Sequence, residues 1–247
     1  MEDESRKGTL TTQVYLQLRR DVLSGVLEPG RKLRIEELAR AYGSGSSPVR
    51  EALSLLASDG LVERLEQRGF RVRPVDEAEF VDILQMRCWA EDRALRESIA
   101  LGDSTWEEAI VVAFYRREQL DRGRAARRRE FDGEWEDQHK AFLAALIAAA
   151  SSPMLKRYCD QLFDLTIRYR VIARPDSGKR RYVQAEHRAV MEATLRRDPE
   201  EASRCLIAHY TLTGDYLRKG LFPHSDSIDS TSPGSLGRRR PSPALAR

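Results

Sequence analysis

Four histidines, three cysteines and ten prolines in 247 residues leave little material for several kinds of chemistry. No uninterrupted apolar run approaches the roughly eighteen residues of a membrane-spanning helix, so no membrane partner is expected. The opening residues, MEDESRKGTL, lack the apolar core of a secretory signal, so a cytoplasmic protein is expected. Cys88, Cys159 and Cys205 are odd in number, far apart and set in helix-like stretches. They read as buried thiols in a reducing compartment, not as a disulfide framework. Charge of one sign is also missing, since the net charge is only +3. That value alone points to no partner.

The distribution of charge says more. Between Ser5 and Val75 there are 13 lysines and arginines against 8 acidic residues, an excess of five. A small domain with that excess suits a polyanion, although a mixed solvated surface has the same composition.

Hydrophobic content of 41% supports a packed core. From Thr9 to Leu27, Leu10, Val14, Leu16, Leu18, Val22 and Leu23 recur in a largely helical pattern, and Pro29-Gly30 then breaks it. A short helix is predicted from Ile35 to Tyr42, ended by Gly43. Ser47 is expected to cap the next helix, with Pro48 at its first position and Val49, Ala52, Leu53, Leu56 and Ala57 as its apolar stripe. After Asp59-Gly60 the period changes to two, which predicts a β-hairpin with Arg68-Gly69 near its tip. Beyond Asp76 six amphipathic helices are predicted, near 77–101, 104–122, 132–150, 153–173, 179–197 and 199–219. They make a helical bundle. The expected organisation is a disordered N-terminus (1–8), a winged helix-turn-helix (9–75), an all-α bundle (76–220) and a disordered tail (221–247), rich in Ser, Pro and Arg. The fold class is therefore mainly α.

Three short helices followed by a hairpin suit a DNA reader. The second helix of a helix-turn-helix enters the major groove N-terminus first, and its free N–H groups suit phosphate oxygens. Gly43, Gly45, Ser46 and Ser47 keep that end small. Ser46 and Ser47 can donate to phosphates or base edges, and Arg50 can reach a guanine. Arg68 and Gly69 at the hairpin tip can approach a minor groove, and Arg34 joins the same group of candidate contacts. The ordinary alternative is that Ser47-Pro48 is only a cap and that Arg50 pairs with Glu51 or Glu36.

The stretch LEPGRKLRIEELARAYGSGSSPVREALSLLASDGLVERLEQRGFRVRPV resembles the DNA-binding domain of the GntR family of bacterial transcription regulators. Many members carry Ser-Arg-Thr before the proline; here Gly45-Ser46-Ser47 stands there, so one DNA-contacting arginine is missing. The operator differs accordingly, or Arg50 and the wing carry more of the readout. The stretches LQMRCWAEDRALRESIALGD, WEDQHKAFLAALIAAASSPML and AEHRAVMEATLRRDPEEASRCLIAHYTLTGDYL resemble the FCD effector domain of the FadR-type branch.

The resemblance implies a divalent metal, zinc or nickel, and a helix-borne arginine that together hold a small carboxylate. Its ligand positions fall at His139, Leu143, His187 and His209, with Arg87 as the carboxylate-binding arginine. Leucine cannot ligate, so either three imidazoles keep the metal or the histidines meet the effector directly. Arg87 has the alternative of an ordinary ion pair with Glu91. Arg168, Tyr169 and the basic run 122–130 have no assigned part. The expected function is a homodimeric repressor of a palindromic DNA operator, controlled by a small carboxylate. A metal-dependent helical-bundle enzyme and a non-sensing structural DNA-binding protein are the alternatives.

Overall fold

The structure is a computed structural model that describes residues 2–66, 68–123, 133–173 and 183–222, without the side chains of 2–9 and 121–123. The basic run from 124 to 130 and the tail from 223 onward lie outside the described residues.

The N-terminal unit runs α1 (Glu2–Leu23), β1 (Lys32–Leu33), α2 (Ile35–Ala41), α3 (Ser46–Ser58), β2 (Val62–Leu65) and β3 (Gly69–Val72). Helix α1 begins before Thr9, so the backbone at 2–8 continues the first helix instead of forming the expected frayed end. Val14, Leu18 and Val22 fall at i, i+4 and i+8 and pack on the buried Val49, Ala52, Leu53 and Leu56 of α3.

Both short helices end as their glycines dictate. Gly43 and Gly60 have positive φ, 59° and 77°. Ser44 N–H reaches Ala39 O and Leu61 N–H reaches Leu56 O, which closes a Schellman turn at each end. The start of α3 differs from expectation. Its N-cap is Gly45, with no side-chain cap, and Ser47 Oγ donates instead to Glu51 at 3.2 Å. Pro48 is tolerated there because the first-turn N–H groups have no intrahelical acceptor anyway.

The hairpin forms with Val62 opposite Val72 and Leu65 opposite Gly69. A third strand, β1, adds to the far side of β3 and gives the order β1-β3-β2. At two residues it is too short to show a period in the sequence.

The bundle comprises α4 (Glu77–Leu101), α5 (Ser104–Gly123), α6 (Gly133–Leu146), α7 (Pro153–Ile172), α8 (Gln184–Leu195) and α9 (Pro199–Leu221). Asp76, Ser152 and Asp198 cap α4, α7 and α9 by accepting from Glu79, Leu155 and Glu201 N–H. Helix α6 stops short of the expected residue 150, because i+3 turns take over from Ile147. Arg197, after α8, holds a left-handed φ of 58° without being glycine. Its guanidinium offsets that strain by binding Ile99 O, Gly102 O and Glu107 at the α4–α5 corner. Helix α4 packs on α7 and α9, α5 on α6 and α8, and α7 also touches α1. Of the three thiols only Cys159 is buried; Cys88 and Cys205 are half-buried, on the edges of their helical stripes.

Candidate functional site

Two chemically distinct sites stand on this frame. The first is the exposed front of α3 and the wing. Ser46, Ser47 and Arg50 are all exposed. Arg50 forms no ion pair with the described residues. Glu51, one of the two partners in the ordinary alternative, instead accepts from Thr11 Oγ1 at 3.0 Å and from Ser47, which ties α3 to α1. Arg68 is exposed between β2 and β3, and Gly69 beside it has φ of 89°. Arg34 is exposed and pairs with Glu37 at 2.9 Å; a solvated pair of that kind is worth little and can open toward a phosphate. Arg71 and Arg73, by contrast, are held by Glu63 and Glu79. Arg64, exposed on β2, is a further wing cation that periodicity alone did not single out.

The second site is buried. His139 on α6, His187 on α8 and His209 on α9 bring their ring nitrogens within 4.8 Å of one another. Their exposures are 2%, 0% and 3%. The Nε2 atoms of His187 and His209 are 3.1 Å apart. Zinc–nitrogen bonds of about 2.0–2.1 Å would leave neighbouring ligand atoms at a similar spacing. His209 Nδ1 meets Glu186 Oε2 at 2.7 Å, the carboxylate contact that commonly orients a ligating imidazole. Around the trio stand three guanidiniums, those of Arg87 and Arg117 buried and that of Arg170 half-buried. Arg87 bonds Glu91 at 2.8 Å and lies over the rings of Tyr210 and Phe163, while its Nη2 is buried without a partner. Arg117 and Arg170 each lie 5.9 Å from the Trp135 ring. Arg170 Nη1 bonds Glu136 at 2.6 Å and His139 Nδ1 at 2.9 Å.

The donor set fits a metal, with one condition. An arginine only donates, so His139 Nδ1 accepts and the neutral ring carries its proton on Nε2. That Nε2 is buried with no partner. A ligand oxygen could accept from it. A metal on either nitrogen of this ring would instead end the present bond to Arg170.

Comparison with known proteins settles the class. Residues 10–72 match the model of the bacterial regulatory proteins of the gntR family, and residues 82–212 match the FCD domain. The chain belongs to the GntR family. The regulator BphR of Paraburkholderia xenovorans, an uncharacterized HTH-type protein, is 34% identical over 81% of this chain and 82% of its own. The transcriptional repressor GlaR of Escherichia coli is 32% identical over 79% of this chain and 90% of its own. The solved structure of E. coli McbR/YncC covers 85% of this chain and 97% of its own with a TM-score of 0.67 at 21% identity, a likeness of fold. This GntR protein is accordingly a DNA-binding transcription regulator with an FCD domain, and not an enzyme. Among the described residues no helix is long and apolar enough to cross a membrane.

For this GntR regulator the structure brings together four residues singled out in the sequence. Arg87 reaches the histidines through Phe163, whose ring is 5.5 Å from that of His139. Its ion pair with Glu91 is real, yet it lies in the core and not on the surface. Leu143 is buried in the hydrophobic core. On α6 the acidic group beside the cluster comes from the turn before His139, where Glu136 Oε2 is 3.9 Å from His139 Nδ1. Sequence reasoning does not find Glu136, Glu186, Arg117 or Arg170. For two of them a signal exists. Glu136 stands three residues before His139 and Glu186 adjoins His187, but charges at such spacing are common on solvated helix faces.

Burial holds His139 well below the ordinary imidazole range, and the cations of Arg170 and Arg117 and the other two imidazoles add to it. The folded state thus binds fewer protons than the unfolded one. Its contribution is intact above about pH 6.5 and is lost as pH falls toward the depressed value. The urea unfolding free energy of metal-free protein, followed from pH 7 to 5, should drop by up to about 1.4 kcal/mol per pH unit for this one proton. A flat profile would mean that His139 is protonated in the fold.

Proposed function

We infer that this GntR regulator is a cytoplasmic repressor that binds a palindromic operator as a homodimer. A small carboxylate in the bundle controls its affinity. The observation that carries this reading is the meeting of three buried imidazoles and the incompletely bonded Arg87 inside one FCD domain. Buried polar groups cost stability unless satisfied. A DNA-binding protein that sensed nothing would have no use for this concentration of them. The repressor name of the E. coli relative agrees in direction.

In this reading His139, His187 and His209 hold a zinc or nickel ion, which supplies a Lewis-acidic point for a carboxylate oxygen. Glu186 fixes the His209 ring. Arg87, with Glu91 and Tyr210 holding its plane, takes the carboxylate by the unpartnered Nη2. On the DNA side the front of α3 enters the major groove. Arg50 reads a base edge, Ser46 and Ser47 meet phosphates, Arg68 with Gly69 enters the minor groove, and Arg34 adds a backbone contact.

Anisotropy titrations on the regulator's own promoter DNA test the reading. A panel of small mono-, di- and hydroxycarboxylates is run with and without zinc or nickel. At least one acid should lower DNA affinity about tenfold, within the usual range of allosteric coupling. A flat response across the panel would remove the carboxylate effector.

A further inference from the structure

Helix α7 carries Arg168, Tyr169 and Arg170 in succession, and its side chains divide between two neighbours. Phe163 and Arg170, two turns apart on one face, both touch His139, the first by ring contact at 5.5 Å and the second by its 2.9 Å bond. The residues at 164, 165, 168 and 171 face the DNA-binding unit. Asp164 pairs with Arg19 of α1. Leu165 and Val171 approach Gly60 and Gly25, each so near that a Cβ on the glycine would stand 3.5 Å away. Arg168 donates to Arg73 O at 3.3 Å and Pro74 O at 3.4 Å, in the segment that joins wing to bundle. Tyr169 donates to Asp76 O and Glu79.

One further bond crosses between the two sets. Lys140, the residue after His139, pairs with Asp164 at 2.8 Å. Asp164 therefore holds a cation from the sensor helix and a cation from the DNA-binding unit at once. Beside it a cleft of about 600 Å³ opens between α1 and α7, lined among others by Tyr15, Met154 and Tyr158. The contact is thus not a sealed apolar interface. Directional bonds from the buried Asp164 and Arg168 carry part of it, beside the apolar approaches of Leu165 and Val171.

We propose that α7 couples the histidine site to the DNA-binding unit. Arg170 reads the state of His139, and Asp164 and Arg168 pass it to α1 and to the 73–79 linker. The chemistry forces a response at the first step. Any ligand that takes the Nδ1 lone pair of His139, or draws the Arg170 guanidinium to itself, breaks the Arg170–His139 bond. The adjacent residues in the helix are those that clamp the linker. This deepens the proposed function and takes from it only that ligands bind at the histidines.

The coupling can be tested without an effector. Amide hydrogen exchange is followed in full-length, metal-free protein. Arg170→Gln should raise exchange at residues 73–80 by about fivefold or more, the lower end of ordinary coupling. The α8–α9 turn, which α7 does not clamp, should stay unchanged. Arg170→Lys replaces it if the Gln variant loses its cooperative thermal transition. The reverse arm uses zinc(II) alone. Coupling is reciprocal, so Asp164→Asn should shift zinc affinity by a similar factor, while Arg157→Gln, exposed on the same helix, should not. Unchanged exchange at 73–80 in the Arg170 variants overturns the proposal even if carboxylates bind. Increased exchange upholds it even if none of them does.

Discussion

Arg50→Ala is expected to lower operator affinity by about 5- to 150-fold per half-site, the value of one bidentate arginine–guanine contact at ~1–3 kcal/mol. The expectation rests on what Arg50 does not do. Arg34, Arg71 and Arg73 are each engaged by an acidic side chain, and Arg50 is exposed near the start of α3 with no ion pair to the described residues. Glu51, beside it, is held by Thr11 and Ser47. The guanidinium thus gives up no acidic partner on meeting a base. Because the usual arginine ahead of the proline is replaced by Ser46, little else at the start of α3 can compensate. Salt titrations separate a base contact from a phosphate contact. Arg50→Ala should weaken binding while leaving the slope of log K against log salt nearly as it was. Arg68→Ala and Arg34→Ala should each make that slope shallower by about 0.9 per phosphate that the wild-type side chain neutralises. Equal binding of operator and random DNA by the wild type, or an unchanged affinity in Arg50→Ala, would take Arg50 out of the readout.

The DNA-binding unit is largely legible in the sequence because its signals are local. Pro29-Gly30, Gly43, Gly60 and the stripe Val49–Ala52–Leu53–Leu56 each act within a turn or two of the chain. The error at Ser47 has the same source. A serine before a proline looks like a cap, and only the approach of α1 shows that its hydroxyl is claimed by Glu51. In the bundle, periodicity places the helices but not the site. Arg87 and Glu91 occupy stripe positions of α4 where apolar residues usually sit, yet an i, i+4 pair reads as surface in one dimension. Arg117 and Arg170 look like ordinary charges beside Arg116 and Arg168. The burial of Arg117 and the half-burial of Arg170 follow from how α5, α6 and α7 cross, which depends on packing between segments far apart in sequence. The four-position ligand pattern points to Leu143, whereas the helix shows its site-facing carboxylate one turn before His139, at Glu136. Side chains on a helix lean toward its N-terminus, and that tilt favours the preceding turn.

The largest effect inside the bundle is expected from His187. Its ring is fully buried, 4.9 Å from His139, 4.3 Å from His209 and 5.4 Å from Phe142, so it is the middle member of the trio. Elemental analysis of protein purified without tag or chelator should find about one zinc or nickel per chain, and His187→Ala should find none. Loading also has a stability signature. A metal present at a hundred times its dissociation constant adds about 2.7 kcal/mol, which in a chain of this size raises Tm by roughly 5–10 °C. His187→Ala should lack that increment while keeping a cooperative transition, which separates loss of the metal from loss of the fold. Because a ligating imidazole must be neutral and burial keeps His139 neutral below the ordinary imidazole range, acid should release the metal only below that range. A ratio near zero that added zinc or nickel cannot raise would decide the matter the other way. The Arg170–His139 bond would then be the resting state of a metal-free pocket. The buried Nε2 of His139 and Nη2 of Arg87 would be donors awaiting the oxygens of the effector itself.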